Sequence, residues 1–77
     1  MTRLAPISAK KLTALLTRWG FRQVRQQGSH KFFYHAERKL TTVVPDHGSE
    51  DIGRGLLRAI LKDIELSVEE FTRLRHE

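Results

Sequence analysis

The 77-residue sequence predicts an α+β domain in which helices cover one face of a three-stranded antiparallel sheet, in the order αβββαα. Three observations support this prediction. Apolar residues recur at helical spacing near both ends of the chain. Between residues 21 and 45 they give way to short segments rich in aromatic and β-branched residues, separated by turn-forming residues. A chain of this length forms one small domain with a modest core, and we assign residues 1–77 to it.

The first helix is predicted within the segment SAKKLTALLTRWG. Ser8 is a good N-cap, Ile7 before it is expected to pack onto the first turn, and Gly20 suits the left-handed position after the helix. The apolar residues repeat at the i, i+3, i+4 and i+7 positions of one face, which we expect in the core: Leu12, Leu15, Leu16 and Trp19.

Three strands are predicted from the segments FRQVRQQ, HKFFYHA and LTTVV, which the turn-forming segments GS and ERK separate. Together they form a meander. Successive side chains of a strand point to opposite faces, so Phe32, Phe33 and Tyr34 cannot all face the core. The sequence leaves open which of them does.

Two further helices follow the strands. The first is expected to begin near Gly55, because glycine is a poor helix former and both Gly53 and Gly55 lie in this segment. Its apolar face is formed by Leu57, Ile60, Leu61 and Ile64. In the segment LSVEEF, Ser67 and Glu70 are spaced as a capping box and Leu66 can pack onto Phe71, which predicts a final short helix.

Charge is distributed unevenly along the chain. Residues 1–45 contain nine Lys or Arg and one Glu, whereas residues 46–77 contain five Lys or Arg and eight Asp or Glu. The basic half suggests that one surface meets a polyanion or an acidic protein, although charge alone does not separate RNA from DNA or from a protein.

Several classes of protein are disfavoured by composition. The chain has no cysteine, so disulfides and thiolate metal sites play no part in it. It has no apolar run approaching the about 18 residues of a membrane span, and its first residues lack the apolar segment of a signal peptide. We therefore expect a cytoplasmic protein with no membrane partner.

A cluster of polar residues is predicted at one end of the sheet. If the second and third strands form a hairpin around residues 37–39, Ala36 pairs with Leu40, and His30 then lies opposite Asp46, beside His47. A slip of one residue would still leave His30 next to Pro45 or His47.

This cluster has the groups that metal-free RNA cleavage needs. A histidine can transfer protons near neutral pH, so His30 is the candidate catalytic residue, with His47 and Asp46 as possible auxiliary residues. Lysine and backbone N–H groups can hold a phosphate. The candidate RNA- and phosphate-binding residues are Gly28, Ser29, Lys31, Arg22 and Arg25.

Other interpretations of the cluster remain open. A single histidine at a surface turn is more often inert, and His35 and His76 are expected to be plain surface residues. A zinc site is disfavoured, because His30 and His47 provide two ligands, with Asp46 as a possible third, but lack the spacing of a metal motif. A non-catalytic RNA-binding module is the main alternative function, while a DNA-binding repressor would need a helix-turn-helix pair that the predicted elements lack.

The chain resembles the HicA toxins over roughly residues 8–74. The resemblance is carried by WGF after the first helix, GSHKFF at the second strand, VVPDH at the end of the third strand, GRGLLRAIL in the second helix and LSVEEF near the end of the chain. Each motif is weak alone, but their order in so short a chain is specific.

The resemblance implies an αβββα fold similar to double-stranded-RNA-binding domains and an mRNA interferase activity without metal or cofactor. It implies that His30, in the G-S-H motif, is catalytic and that a HicB-type antitoxin blocks the active face. The sequence departs from the family in two places. Leu56 stands where a threonine is common, which weakens a phosphate-binding role for the helix start, and Glu65 replaces a common glycine, so a looser or differently shaped helix end is expected.

Overall fold

The computed structural model describes residues 3–76 and has the predicted α+β architecture. The predicted helices and strands are all present, with boundaries that differ by a few residues at most. In chain order the elements are β1 (Ile7–Ser8), α1 (Ala9–Arg18), β2 (Arg22–Gln27), β3 (His30–His35), β4 (Leu40–Pro45), β5 (Asp51–Ile52), α2 (Arg54–Asp63) and α3 (Val68–Leu74).

The central sheet has the strand order β2-β3-β4, and both pairs are antiparallel. Gly28 and Ser29 form the two-residue connection between β2 and β3, with Gly28 at a φ of 60°. A positive φ at the first of two turn residues is typical of a type II′ hairpin turn, which matches the twist of the flanking strands. The sequence GS therefore sets the sharp entry into β3.

The pairing between β3 and β4 differs by one residue from the predicted one. His35 pairs with Leu40 and His30 with Pro45, so Ala36 belongs to the turn rather than to the ladder. Two local features close this longer turn: Lys39 adopts a φ of 55°, and Nδ1 of His35 accepts a 3.1 Å hydrogen bond from the backbone N–H of Arg38.

His35 is consequently not the plain surface residue that the sequence suggested. It is half-buried and packs edge-on against Phe21, with ring centroids 5.1 Å apart. Together with its bond to the turn, this contact makes His35 a structural residue between the sheet and the end of α1.

The core lies between the sheet and the helices. The predicted apolar faces of α1 and α2 are buried, except that Trp19 is half-buried and packs edge-on against Phe71. Among the three aromatic residues left open, Phe33 faces the core, with 3% of its surface exposed. The side chains of β3 alternate, so Phe32 and Tyr34 lie on the other face of the sheet.

A second, two-stranded sheet was not predicted. β1 pairs antiparallel with β5, with Ile7 opposite Ile52. In addition, backbone N–H groups of Ala9 and Lys10 donate to the carbonyl oxygens of Glu50 and Gly48, at 3.1 and 3.0 Å. These bonds fix the loop between β4 and β5, residues 46–50, against the N-terminus of α1.

The end of α1 is closed as predicted. Gly20 has a φ of 97°, and the N–H of Phe21 donates to the carbonyl of Leu16 at 2.9 Å. This is the Schellman arrangement, in which a residue in the left-handed region reverses the chain after the helix. The predicted caps at the other helix ends also form: Ser8 accepts from Lys11 N–H, and Ser67 and Glu70 form a capping box.

The end of α2 has the same arrangement, which corrects the expectation of a looser or different shape. Glu65 adopts a φ of 58°, and the N–H of Leu66 donates to the carbonyl of Leu61 at 2.9 Å. A glutamate thus occupies a left-handed position that favours glycine, at an energetic cost of about 1 kcal/mol.

In residues 3–76, none of the helices is long and apolar enough to cross a membrane.

Candidate active site on the open face of the sheet

Register and alternation divide the sheet into two faces. The helix-covered face contains the buried Phe33, Thr42 and Val44. On the opposite side, which we call the open face, the strands contribute the following residues: Arg22, Arg25 and Gln27 from β2, His30, Phe32 and Tyr34 from β3, and Thr41, Val43 and Pro45 from β4. All of β2 is exposed, whereas Phe32, Tyr34 and Val43 are half-buried by their neighbours.

His30 begins β3 at the edge of the open face, directly after the Gly28–Ser29 turn. Its side chain is exposed, and within residues 3–76 its imidazole forms no hydrogen bond or ion pair. Both ring nitrogens are therefore accessible to a ligand. An exposed imidazole with two free nitrogens can accept and donate protons without first breaking a bond within the protein.

Lys31 is directed to the other face of the sheet. Its Nζ lies 2.7 Å from Oδ2 of Asp46, and the side chains of this pair are 28% and 11% exposed, respectively. Asp46 Oδ1 also accepts a 2.8 Å hydrogen bond from the N–H of Gly48. The Lys31 ammonium and the Gly48 N–H both stabilise the ionised carboxylate and hold the pKa of Asp46 below its ordinary value of 3.8.

The Lys31–Asp46 pair thus fixes the loop after β4 to the beginning of β3. A second bond does the same from the backbone: the N–H of Asp46 donates to the carbonyl of Ser29 at 2.8 Å. These contacts place Ser29, which precedes His30, next to Asp46, which precedes His47. The predicted proximity of the two segments is therefore confirmed. The side chain of His47 is exposed.

The two arginines predicted to bind phosphate lie on the open face, in register with its aromatic residues. Arg22 pairs with Tyr34 and Arg25 with Phe32. The Arg25 guanidinium lies 4.8 Å from the centre of the Phe32 ring and donates a 3.1 Å hydrogen bond to Oε1 of Gln27. This cation–π contact places the guanidinium over the Phe32 ring, while the Arg25 side chain remains exposed.

The strands β2, β3 and β4 contain no Asp or Glu, so the open face has no carboxylate of its own. The turn at its edge is also unobstructed, because a Cβ added at Gly28 would meet nothing within 4 Å. A polyanion can therefore approach His30 across a positively charged surface and past the open side of Gly28, although the Gln26 amide donates a 3.0 Å hydrogen bond to the Gly28 carbonyl.

Phe32 and Tyr34 are the aromatic residues of this face, and sequence analysis gave them no functional role. Because side chains alternate along a strand, Phe32 and Tyr34 must lie opposite Phe33. The sequence alone could not assign them to the open face, since it does not show that Phe33 faces the core. No group of three or more His, Asp or Glu side chains that could hold a metal ion occurs in the described part of the chain.

Comparison with known proteins identifies a family. The family model described as HicA toxin of bacterial toxin-antitoxin matches residues 9–66. The matched range contains α1, the central sheet, the His30 turn, the loop after β4 and α2. A search of curated proteins finds no match to the chain.

Proposed function

The chain belongs to the HicA toxin family, and from this premise we propose that it is an endoribonuclease that cleaves mRNA with His30 by metal-independent acid–base catalysis. Membership of the family makes the protein the toxin of a toxin–antitoxin system, with an antitoxin as its partner. We further propose that this partner is of the HicB type and that both act in the cytoplasm.

The exposed His30 is the observation that carries the proposal. It follows the sharp turn of the G-S-H segment, has no partner within residues 3–76, and lies at the edge of a face with two arginines and no carboxylate. A residue needed only for stability would be expected to have contacts, as His35 does with Phe21 and Arg38. A freely accessible imidazole is suited to proton transfer.

The proposed reaction is transfer of a phosphoester within the RNA backbone. A base removes the proton of a 2′-hydroxyl, the 2′-oxygen attacks the adjacent phosphorus, and the bond from phosphorus to the 5′-oxygen breaks as an acid protonates that oxygen. The products are a 2′,3′-cyclic phosphate and a 5′-hydroxyl. His30 performs one of the two proton transfers, and His47 or a water molecule performs the other.

Charge develops on the phosphate oxygens during this reaction and needs stabilisation. Arg25 and Arg22 lie on the same face as His30 and can hold the phosphates, while the backbone of the Gly28–Ser29 turn can approach the scissile group closely. Lys31 and Asp46 neutralise each other in their ion pair. We therefore assign them the role of positioning the loop and the start of β3, on which His30 depends.

The test is an RNA cleavage assay with purified protein. His30→Ala should lose about 100-fold or more in cleavage rate while it keeps its fold and its affinity for RNA. His76→Ala removes another exposed histidine and is the matched control, which should cleave at the wild-type rate. Activity should persist in EDTA, and the fragments should end in a cyclic phosphate and a 5′-hydroxyl.

Cleavage by His30→Ala at the wild-type rate would contradict the proposal. If neither the wild-type protein nor His30→Ala cut RNA but both bound it, the chain would instead be a non-catalytic RNA-binding module, the main alternative from the sequence.

A further inference from the structure

We propose that the open face binds single-stranded RNA, with one unpaired base stacked on Tyr34 and another on the Arg25–Phe32 pair. The inference rests on the proposed function and deepens it, because it names the substrate class and the surface that presents the substrate to His30. The residues concerned lie on two neighbouring strands of one sheet.

The first argument is the row of rings. His30, Phe32 and Tyr34 occupy alternate positions of β3 and so point to the same side, with Tyr34 about 13 Å along the strand from His30. The Tyr34 side chain forms no hydrogen bond or ring contact within residues 3–76. Its half-exposed ring therefore has no competing polar or ring partner when a base approaches, and it lies on the same face of the sheet as His30.

The second argument is the Arg25–Phe32 contact. The guanidinium lies over the ring at 4.8 Å and is held in place by its hydrogen bond to Gln27. A fixed guanidinium plane is a second platform on which a base can stack, and it contributes positive charge at the same point. Arg22 adds a further positive charge beside Tyr34.

The third argument distinguishes single strands from duplexes. In an A-form duplex the faces of the bases are covered by their neighbours, and a protein meets only phosphates, 2′-hydroxyls and base edges. Stacking on Tyr34 requires unpaired bases. The start of α2 contributes Arg54 without any lysine, so it lacks the cluster of basic residues by which a helix could hold duplex phosphates.

The fourth argument favours RNA over a protein on this face. The three strands contain no carboxylate. On the open face Arg22 lies opposite Tyr34 and Arg25 opposite Phe32, which combines positive charge with rings as surfaces that bind single-stranded nucleic acid do. The face is also continuous with His30, where the substrate must arrive. A protein partner on the same face is the competing outcome, and the test includes it.

The experiment uses the full chain with His30→Ala, so that RNA remains intact during binding. Affinity for a fluorescently labelled, unstructured RNA oligonucleotide and for the same sequence as a duplex is measured by anisotropy. Adding Tyr34→Ala should weaken binding of the single strand about tenfold. Tyr34→Phe, which keeps the ring, and Arg58→Ala, which removes an exposed charge from α2, are the matched controls and should bind as the parent does.

Two further measurements do not depend on how well Tyr34→Ala folds. Arg25→Ala should lower the slope of log affinity against log salt concentration by about 0.7, because one phosphate contact is lost from a single strand. Irradiation of the parent protein with RNA containing 5-iodouracil should crosslink Tyr34, which mass spectrometry identifies.

The inference is overturned if folded Tyr34→Ala binds single-stranded RNA as tightly as the parent, or if crosslinks form only outside the open face. It is also overturned if Tyr34→Ala loses only antitoxin binding, in which case the face is a protein-docking surface. In each of these cases His30-dependent cleavage by the wild-type chain would still uphold the proposed function, whereas absence of cleavage with intact RNA binding would contradict the proposed function alone.

Discussion

At the scale of single residues, two neighbours at the start of β3 have opposite surroundings. The imidazole of His30 is exposed and free, whereas the ammonium of Lys31 is held 2.7 Å from the carboxylate of Asp46 on the other face. The two residues are adjacent in sequence, but successive side chains of a strand point to opposite faces of the sheet. Substitutions at the two positions should consequently affect different properties, namely catalysis at His30 and stability at Lys31.

Asp46→Asn tests the stabilising role of this pair. The pKa of Asp46 is lowered from 3.8 in the folded protein. The ionised carboxylate therefore adds its full contribution to the free energy of unfolding above pH 3.8, and this contribution is lost as the pH falls through the folded pKa. At pH 7 the variant should lose about 1–2 kcal/mol in the free energy of unfolding, between the values for exposed and buried pairs. The difference should shrink in acid. Urea unfolding at several pH values measures this difference in stability, and Asp51→Asn, at an exposed position, is the control. A difference between wild type and Asp46→Asn that stayed constant below pH 4 would exclude the ion pair as its cause.

Glu65→Gly tests the cost of the left-handed residue at the end of α2. Glycine adopts the observed φ of 58° without the penalty that a side chain incurs. The free energy of unfolding should rise by about 0.5–1 kcal/mol, since the exposed ion pair with Arg38, at 3.5 Å, contributes little. Glu65→Gln removes that pair but keeps the side chain and is the control. A glycine variant no more stable than the glutamine variant would contradict this explanation.

At the scale of elements, the accuracy of the sequence-based prediction depended on the length of each helix or strand. α1 and α2 extend over 10 residues each, which is enough for periodicity and caps to determine both their ends and their buried faces. β1 and β5 have 2 residues each, and no pattern exists at that length; they form because the folded chain brings the two segments together.

The register of β3 and β4 could not be obtained from the hydrophobic pattern alone. A turn of three residues and one of four fit the same strands, and the choice depends on the left-handed Lys39 and on the hydrogen bond that His35 accepts from Arg38. Neither feature is visible in the sequence. The neighbourhood of His30 and residues 46–47 was predictable nevertheless, because a shift of one residue moves the partners by only about 3 Å.

Gly20→Ala tests the junction between α1 and β2. A Cβ at this position would lie 2.8 Å from Nε2 of His35, and the φ of 97° disfavours any side chain. We expect a loss of about 2–3 kcal/mol in the free energy of unfolding. Gly55→Ala is the control: its Cβ meets nothing within 4 Å and alanine favours the helix, so stability should be unchanged or slightly higher. Equal melting temperatures for the two variants would contradict the tight junction.

At the scale of the whole molecule, charge separates the two halves of the chain. Residues 1–45 have nine basic residues against one acid, and this half contains the turn with His30 and the two arginines of the open face. Substrate RNA and an acidic antitoxin surface would be attracted to the same region. An antitoxin that occupied this region would block the access of RNA to His30.

The rate of association with the antitoxin tests this attraction. Long-range steering weakens as salt screens the charges, so the association rate should fall several-fold between low and physiological ionic strength, while dissociation changes less. Stopped-flow fluorescence with a dye-labelled antitoxin measures both rates. Arg22→Ala should slow association more than Arg58→Ala. If the antitoxin bound without inhibiting RNA cleavage, the shared surface would be refuted.

The pH dependence of single-turnover RNA cleavage tests the central claim, that His30 transfers a proton, most directly. For the wild-type protein we predict a bend in the plot of the logarithm of the rate against pH, because the proton that His30 gains or loses takes part in the reaction. The residual activity of His30→Ala should be at least about 100-fold lower and should lack that bend, whereas His76→Ala should retain it. A His30→Ala protein that kept the wild-type rate, or that was slower but kept the same bend, would show that the proton is transferred elsewhere.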